Sequence, residues 1–306
     1  MRVSALVGLL SALCALAWIA GVLVTSSDSP EPWLMVFGAV VVGGLSVGAN
    51  GVIGREMARR KELHRDLKSA VRVQRSLFPN RVPDIGGCEF AMACRMSRAI
   101  GGDCVDAIRV GENRLALMVG DVSGKGIAAA LVMSGVQSQF RALVKEGLPL
   151  AAIARRIDEQ LLDLANGQYI TAVMLFLDAA TGAIEYLSAG HVPFVLVDAA
   201  GESRAVDSTG PTLGLLGGAS HGIEHLTFPT GSALILVTDG VTERRQGATE
   251  YGTGRLLAEA PRLARLSARQ AVDHLLADND SFAGGTAADD DLTVVVMRLT
   301  SAPVSA

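Results

Sequence analysis

Two stretches near the start of the chain contain no charged residue, Val3–Val24 and Trp33–Gly54, each 22 residues long. At the ~1.5 Å rise of an α-helix each reaches roughly 33 Å, enough to cross a hydrocarbon core about 30 Å thick. Between them lies TSSDSPEP, a polar turn with two prolines and two acids, so the pair reads as a two-helix transmembrane hairpin. A cleaved signal peptide fits the first span poorly: its apolar run is long and no small-x-small site precedes the acidic turn. Bulky Leu13 before Cys14 argues against a lipidated cysteine. The pattern then changes. Over Arg55–Phe78, Leu63, Leu67, Ala70, Gln74 and Leu77 recur at spacings of four, three, four and three, the seam of a linker helix. Such a seam either pairs with a second copy or packs on its own domain.

From about Pro79 the chain alternates short apolar runs with turn signals. Leu115–Val119, Ile170–Asp178, Ala183–Ser188, Val192–Val197, Ala233–Thr238 and Leu292–Leu299 read as strands. Gly126–Glu146, Ala151–Ala165, Arg255–Leu263 and Ala268–Ala277 read as helices. AATG between Asp178 and Ala183 is a hairpin signal. Strands in hairpins and helices in consecutive pairs predict antiparallel sheets covered by helices. The expected organisation is a transmembrane hairpin over 1–54, a linker helix over 55–78, a catalytic domain over 79–300 and a disordered tail over 301–306.

Composition sharpens this picture. Of 306 residues 50% are hydrophobic and 19% charged, with mean hydropathy +0.37, which excludes a disordered chain and favours a membrane segment. A net charge of −4 provides no overall basic field to hold nucleic acid. Arg55, Arg59, Arg60, Lys61, Arg65 and Lys68 follow the second span while the turn has no basic residue. The positive-inside rule therefore places the catalytic part in the cytoplasm, on a two-span cell-membrane protein. The turn between the spans is too short for a folded sensor. Cys14, Cys88, Cys94 and Cys104 show no CxxC spacing and read as reduced, buried thiols.

The candidate chemistry is carboxylate. Asp121 follows LALMVG, Asp239 follows ALILVT, Asp289-Asp290-Asp291 precedes LTVVVMRL, and GGDCVD supplies Asp103 and Asp106. Acids held at strand ends repel one another unless cations lie between them. An oxygen-only set favours Mg²⁺ or Mn²⁺ over zinc, and two such ions ~3.5–4 Å apart can serve phosphoryl hydrolysis. Gly120-Asp-Val-Ser-Gly-Lys-Gly126 fails as a nucleotide P-loop, having three residues between its first two glycines and Gly126 after Lys125. His191, in AGHVPF, reads as a structural hydrogen-bonding residue. No Gly-x-Ser-x-Gly elbow is present. GGD echoes a diguanylate cyclase signature, but CVD rather than an acidic-aromatic pair surrounds its end and no other cyclase feature follows.

In order, VQRSLFPN, GGDCVD, VGDVSGKGIAAALVMS, YITAVMLFLD, YLSAGHVPF, GPTLGLL, LILVTDGVTE, YGTGRLL and DDDLTVVV resemble the PP2C-type (PPM) serine/threonine phosphatases, in their bacterial SpoIIE/RsbU-like branch. The resemblance runs from about Val73 to Leu299. It implies an α+β fold, a PP2C-like α-β-β-α sandwich of two antiparallel sheets, here preceded by the transmembrane hairpin and linker helix. It implies two Mn²⁺ or Mg²⁺ ions, with Asp121 bridging them and the Val122 carbonyl on one. Asp239 and Asp290 would hold the other, and Asp103 would join through the second ion or its waters. Asp106 is a weaker candidate, and Asp289 the less favoured register. The implied activity is hydrolysis of phosphoserine or phosphothreonine on a regulatory protein, a phosphorylated anti-sigma-factor antagonist, with a homodimer through the linker helix as regulator. The competing reading is a catalytically inactive, membrane-tethered pseudophosphatase scaffold. Cys104 and Val105 depart from the aromatic residues usual before the second acid of GGDCVD.

Overall fold

The computed structural model describes residues 16, 32–77, 85–164 and 167–300. The chain divides into two compact units, Met1–Ala70 and Val71–Ala306. Helix α1 spans Pro32–Leu77. Sequence patterning splits this stretch at Gly54, where charge begins, but the backbone does not, because Pro32 opens the helix and no proline follows inside it. The second apolar stretch forms the early part of α1, where Val40, Leu45, Val47 and Val52 are exposed. Val3–Val24, Leu16 apart, lies outside the described residues, as do Phe78 and the tail 301–306.

In chain order the strands are β1 (Cys88–Arg95), β2 (Asp103–Arg109), β3 (Arg114–Val122), β4 (Ile170–Asp178), β5 (Ala183–Ala189), β6 (Phe194–Val197), β7 (Ser203–Val206), β8 (Glu224–Thr227), β9 (Ala233–Val237), β10 (Arg245–Gln246), β11 (Thr249–Glu250) and β12 (Leu292–Leu299). The remaining helices are α2 (Ile127–Lys145), α3 (Leu150–Asp163), the one-turn α4 (Asp239–Thr242), α5 (Gly252–Leu263) and α6 (Ala268–Phe282). One sheet has the order β1-β12-β9-β6-β7 and the other β2-β3-β4-β5-β8. Their ladders are antiparallel.

Strand β3 shows how the layers arise. Leu115, Leu117 and Val119 point into the space between the sheets, among Leu234, Leu236, Val295 and Met297. Ala116 and Met118, one position out of phase, face outward against Phe140 of α2 and Ile153 and Ile157 of α3. On the far side Ile235, Val237, Val294 and Val296 meet Leu256 and Leu263 of α5 and Val272 and Leu275 of α6. Each sheet is thus covered on both faces, which is why these strands read as near-continuous apolar runs rather than alternating ones. The result is the expected four-layer α-β-β-α sandwich. Helix α2 is long and apolar enough to cross a membrane, but half of it is buried against this core.

Candidate active site

Strand register makes the first contact of the site. Asp103 opens β2 directly opposite Asp121 near the end of β3. Two charged acids so placed would repel; instead Asp103 hydrogen-bonds to Asp121. Asp103 is 1% exposed, and its Oδ2 accepts from the hydroxyls of Thr238 at 2.8 Å and Thr293 at 2.5 Å. Burial, reinforced by the Asp121 charge, holds Asp103 well above the usual carboxylate range, and the two acids share a proton as a pair. Thr238 follows β9 and Thr293 lies in β12, so one sheet grips the buried acid of the other.

Asp239 follows Thr238 at the start of α4, and Asp290 stands just before β12. Burial, then the charges of Asp239, Asp290 and Asp291, push the Asp121 carboxyl up to about 7. Asp239 is raised by burial and then by Glu243 and Asp290. The four acids therefore share one electrostatic neighbourhood, built by strand ends of both sheets. Asp290 Oδ2 lies 2.6 Å from Lys125 Nζ, which also donates to the Asp289 carbonyl at 2.7 Å. The lysine is presented by a tight loop in which Gly124 and Gly126 have φ of 92° and 84°, a conformation that glycine adopts without strain. Val122 closes β3, and its N–H donates to the Gly102 carbonyl at 3.3 Å.

Among the described residues no three Asp, Glu, His or Cys side chains close on one point. The acids stand as a proton-sharing pair (Asp103 and Asp121), a lysine-paired Asp290, and Asp239 within electrostatic range of Asp121 and Asp290. The donor set nonetheless suits a hard divalent cation: it is all oxygen, and it concentrates negative charge that a cation would relieve.

Other acids are engaged elsewhere. Asp106 lies three residues after Asp103, hence on the opposite face of β2, where Arg141 of α2 meets it through Nε at 2.6 Å and Nη2 at 2.5 Å. Asp289 contributes its carbonyl to Lys125. His191 bridges the sheets: Nε2 donates to the Val237 carbonyl at 3.0 Å and Nδ1 accepts from the Thr171 hydroxyl at 3.0 Å. Burial lowers its pKa to about 4, so it stays neutral. Cys104 is buried, Cys88 and Cys94 are partly so, and all three are free thiols. Burial pushes each of them up, away from nucleophilic thiolate.

The loop before Asp103 is set by residues whose partners lie far away in the sequence. Asp291 accepts from Ser97 N at 2.7 Å and Gly102 N at 3.0 Å. A Cβ at Gly101 would overlap the Asp291 carboxylate and Met96 Sδ, so a larger residue there would push Asp291 off its two N–H donors. Gln74, 5% exposed, donates from Nε2 to the Gly101 carbonyl at 2.7 Å and accepts from Gly101 N at 3.3 Å. Its place in the linker seam singled it out, but not its role, because the partner lies 27 residues away. Gln74→Ala is expected to strip both partners from a buried peptide group and to cost about 2 kcal/mol. Urea denaturation of the wild type and the variant measures this, and an unmoved midpoint would show the clamp to be idle.

Residues 111–300 match the family model described as Stage II sporulation protein E (SpoIIE). Protein IcfG of Synechocystis sp. is 26% identical over 76% of this chain and 41% of its own length. Phosphoserine phosphatase RsbP of Bacillus subtilis is 28% identical over 48% of this chain and 38% of its own. Phosphoserine phosphatase RsbU of the same organism is 26% identical over 78% and 71%. This chain thus spans about two-fifths of the length of IcfG and RsbP. Among solved structures, the RsbU and RsbW domains of Rv1364c from Mycobacterium tuberculosis superpose with TM-score 0.64 at 29% identity, over 75% of this chain and 64% of that one. RsbX in complex with magnesium superposes with TM-score 0.57 at 18% identity, over 72% and 99%, a likeness of fold.

Proposed function

The chain belongs to the Stage II sporulation protein E (SpoIIE) family, and from that membership we propose that it is a metal-dependent PP2C-type protein phosphatase acting on phosphoserine or phosphothreonine. The observation that supports this reading is that Asp103 and Asp121 pair across one sheet while Asp239 and Asp290, beside strand ends of the other, lie within electrostatic range of Asp121. In this proposal Asp121 and the Val122 carbonyl would hold one Mn²⁺ or Mg²⁺, and Asp239 and Asp290 would hold a second, which Asp103 would join directly or through water; Asp121 would serve both. Divalent cations bound there supply Lewis acidity and charge neutralisation for phosphoryl transfer to water.

The chain's own residues do the rest. Thr238 and Thr293 fix the Asp103 carboxyl by two hydroxyl donors, so it need not reorganise. Lys125 steadies Asp290 at 2.6 Å. The buried thiols are not poised as nucleophiles, which argues against a cysteinyl-phosphate intermediate.

The substrate we propose is a phosphorylated regulatory protein of the anti-sigma-factor-antagonist kind, since RsbU and RsbP are named phosphoserine phosphatases. The exposed apolar early part of α1 and the uncharged stretch before it support a membrane tether with the phosphatase domain in the cytoplasm. Gln74 packs on its own domain, but Leu63, earlier in the same seam, is exposed and supports a homodimer through that part of α1. The test is phosphate release from a serine-phosphorylated protein by the full chain in detergent or bilayer discs, with Mn²⁺ and with EDTA. Release that EDTA abolishes is expected. No release from phosphoserine protein, phosphothreonine protein or p-nitrophenyl phosphate would overturn the reading.

A further inference from the structure

Arg244 follows the one-turn helix α4, and its side chain is 7% exposed. Its Nη2 donates to the Thr286 carbonyl at 2.5 Å. Nε and Nη1 are shielded from solvent and meet no acceptor. Asp280 approaches only to 4.0 Å, and its other oxygen is taken by Arg95 at 2.6 Å. A buried guanidinium with unmet donors is costly, and the cost falls when an oxyanion fills them. The surroundings offer room for one. Arg244 lines a cleft of about 270 Å³ whose wall includes Gly240 and Asp290 of the acidic site, together with Lys125, Glu243 and Arg245. The other two cations there already have partners: Lys125 holds Asp290 and Arg245 holds Glu250, each at 2.6 Å. Arg244 is the cation of this cleft with donors to spare. The nearby walls are Thr286, Ala287, Asp289 and Asp290 and, from the short β10–β11 hairpin, Arg245, all outside both main sheets, so a ligand would reach the shielded donors by displacing a loop and not a strand.

We propose that this cleft is a specificity subsite, in which Arg244 takes an oxyanion carried by the substrate polypeptide beside the phosphoserine being hydrolysed. The ligand is a carboxylate of a flanking Asp or Glu, or a second phosphate, since both present the same planar or forked acceptors to a guanidinium. The subsite rests on the phosphatase reading above and adds that the substrate segment is acidic.

Three phosphoserine peptides test it on the full chain with Mn²⁺: one flanked by Asp and Glu, one by the matching Asn and Gln, and one by a second phosphoserine among Asn and Gln. The wild type should show a KM about ten-fold lower for at least one of the two anionic peptides than for the neutral one. Which of them is preferred identifies the source of the oxyanion. In Arg244→Met that preference should shrink to within about two-fold through KM, and Arg244→Lys should restore part of it. Equal KM values for all three peptides in the wild type overturn the subsite, whether or not the variants fold, as does a preference that survives Arg244→Met. If the wild type hydrolyses neither the peptides nor p-nitrophenyl phosphate, the phosphatase reading itself has failed.

Discussion

Asp121→Asn is expected to lower Mn²⁺-dependent hydrolysis of p-nitrophenyl phosphate by about 1,000-fold or more, while leaving the fold intact. The substitution keeps the size of the side chain and an oxygen to accept the Asp103 proton, and removes only the charge. That charge stands opposite Asp103 and within range of Asp239 and Asp290, where two cations would need it most. Activity, the thermal midpoint and Mn²⁺ binding by calorimetry separate chemistry from folding. Activity within ten-fold of wild type would remove Asp121 from the centre of the site. The same carboxyl sets a pH dependence. Its pKa is pushed up to about 7, so a cation must displace a proton below that pH, and Mn²⁺ affinity should rise as pH is raised through about 7. For the metal-free protein the sign is opposite. The native state holds a proton that unfolded Asp121 releases near ~3.9, so native stability falls as pH rises from about 4 to about 7. Saturating Mn²⁺ should cancel that slope.

Arg141→Met is the second large effect, and it falls on stability. Asp106 is fully buried, with both oxygens held by the Arg141 guanidinium. Even so paired, burial keeps its pKa raised. Without the arginine the carboxylate keeps the Ala107 N–H and the Gln137 side chain but loses its only opposite charge, at a cost of about 3 kcal/mol. Replacing both partners, Asp106→Leu with Arg141→Met, should return most of that loss, because an apolar pair leaves no buried charge behind. Guanidinium denaturation of the single and double variants checks this. A single variant as stable as wild type would mean that water already reaches Asp106.

Much of the sandwich is legible in the chain because both faces of its central strands are dry. Ile170–Asp178 and Leu292–Leu299 are found at the bounds their apolar runs suggest. Val192–Val197 shortens to Phe194–Val197, since Pro193 has no N–H for a ladder. Strands β1 and β2 escape pattern reading for opposite reasons. The first, CEFAMACR, is a half-exposed edge strand, and the second, DCVDAIR, interrupts its apolar run with two acids. Period-two geometry explains why GGDCVD sends only one acid toward Asp121: an interval of three residues turns Asp106 to the helix side. Thr238 and Thr293 were hidden by their surroundings, since a hydroxyl amid β-formers reads as a strand residue until its partner is known. Gln74, Asp291 and Arg244 act through contacts distant in sequence, which no local pattern encodes.

The acidic centre lies between two sheets, and the chain visits them in sequence: Asp103 and Asp121 lie in strands of one, then Asp239 follows β9 and Asp290 precedes β12 of the other. Neither half of the polypeptide owns a complete cage. A protease nick in the stretch from Ser123 to Val237 would sort the acids into two fragments, and function would then persist only as complementation between pieces that stay bound. For the same reason a slight sliding of one sheet over the other would part the acids without unfolding any strand.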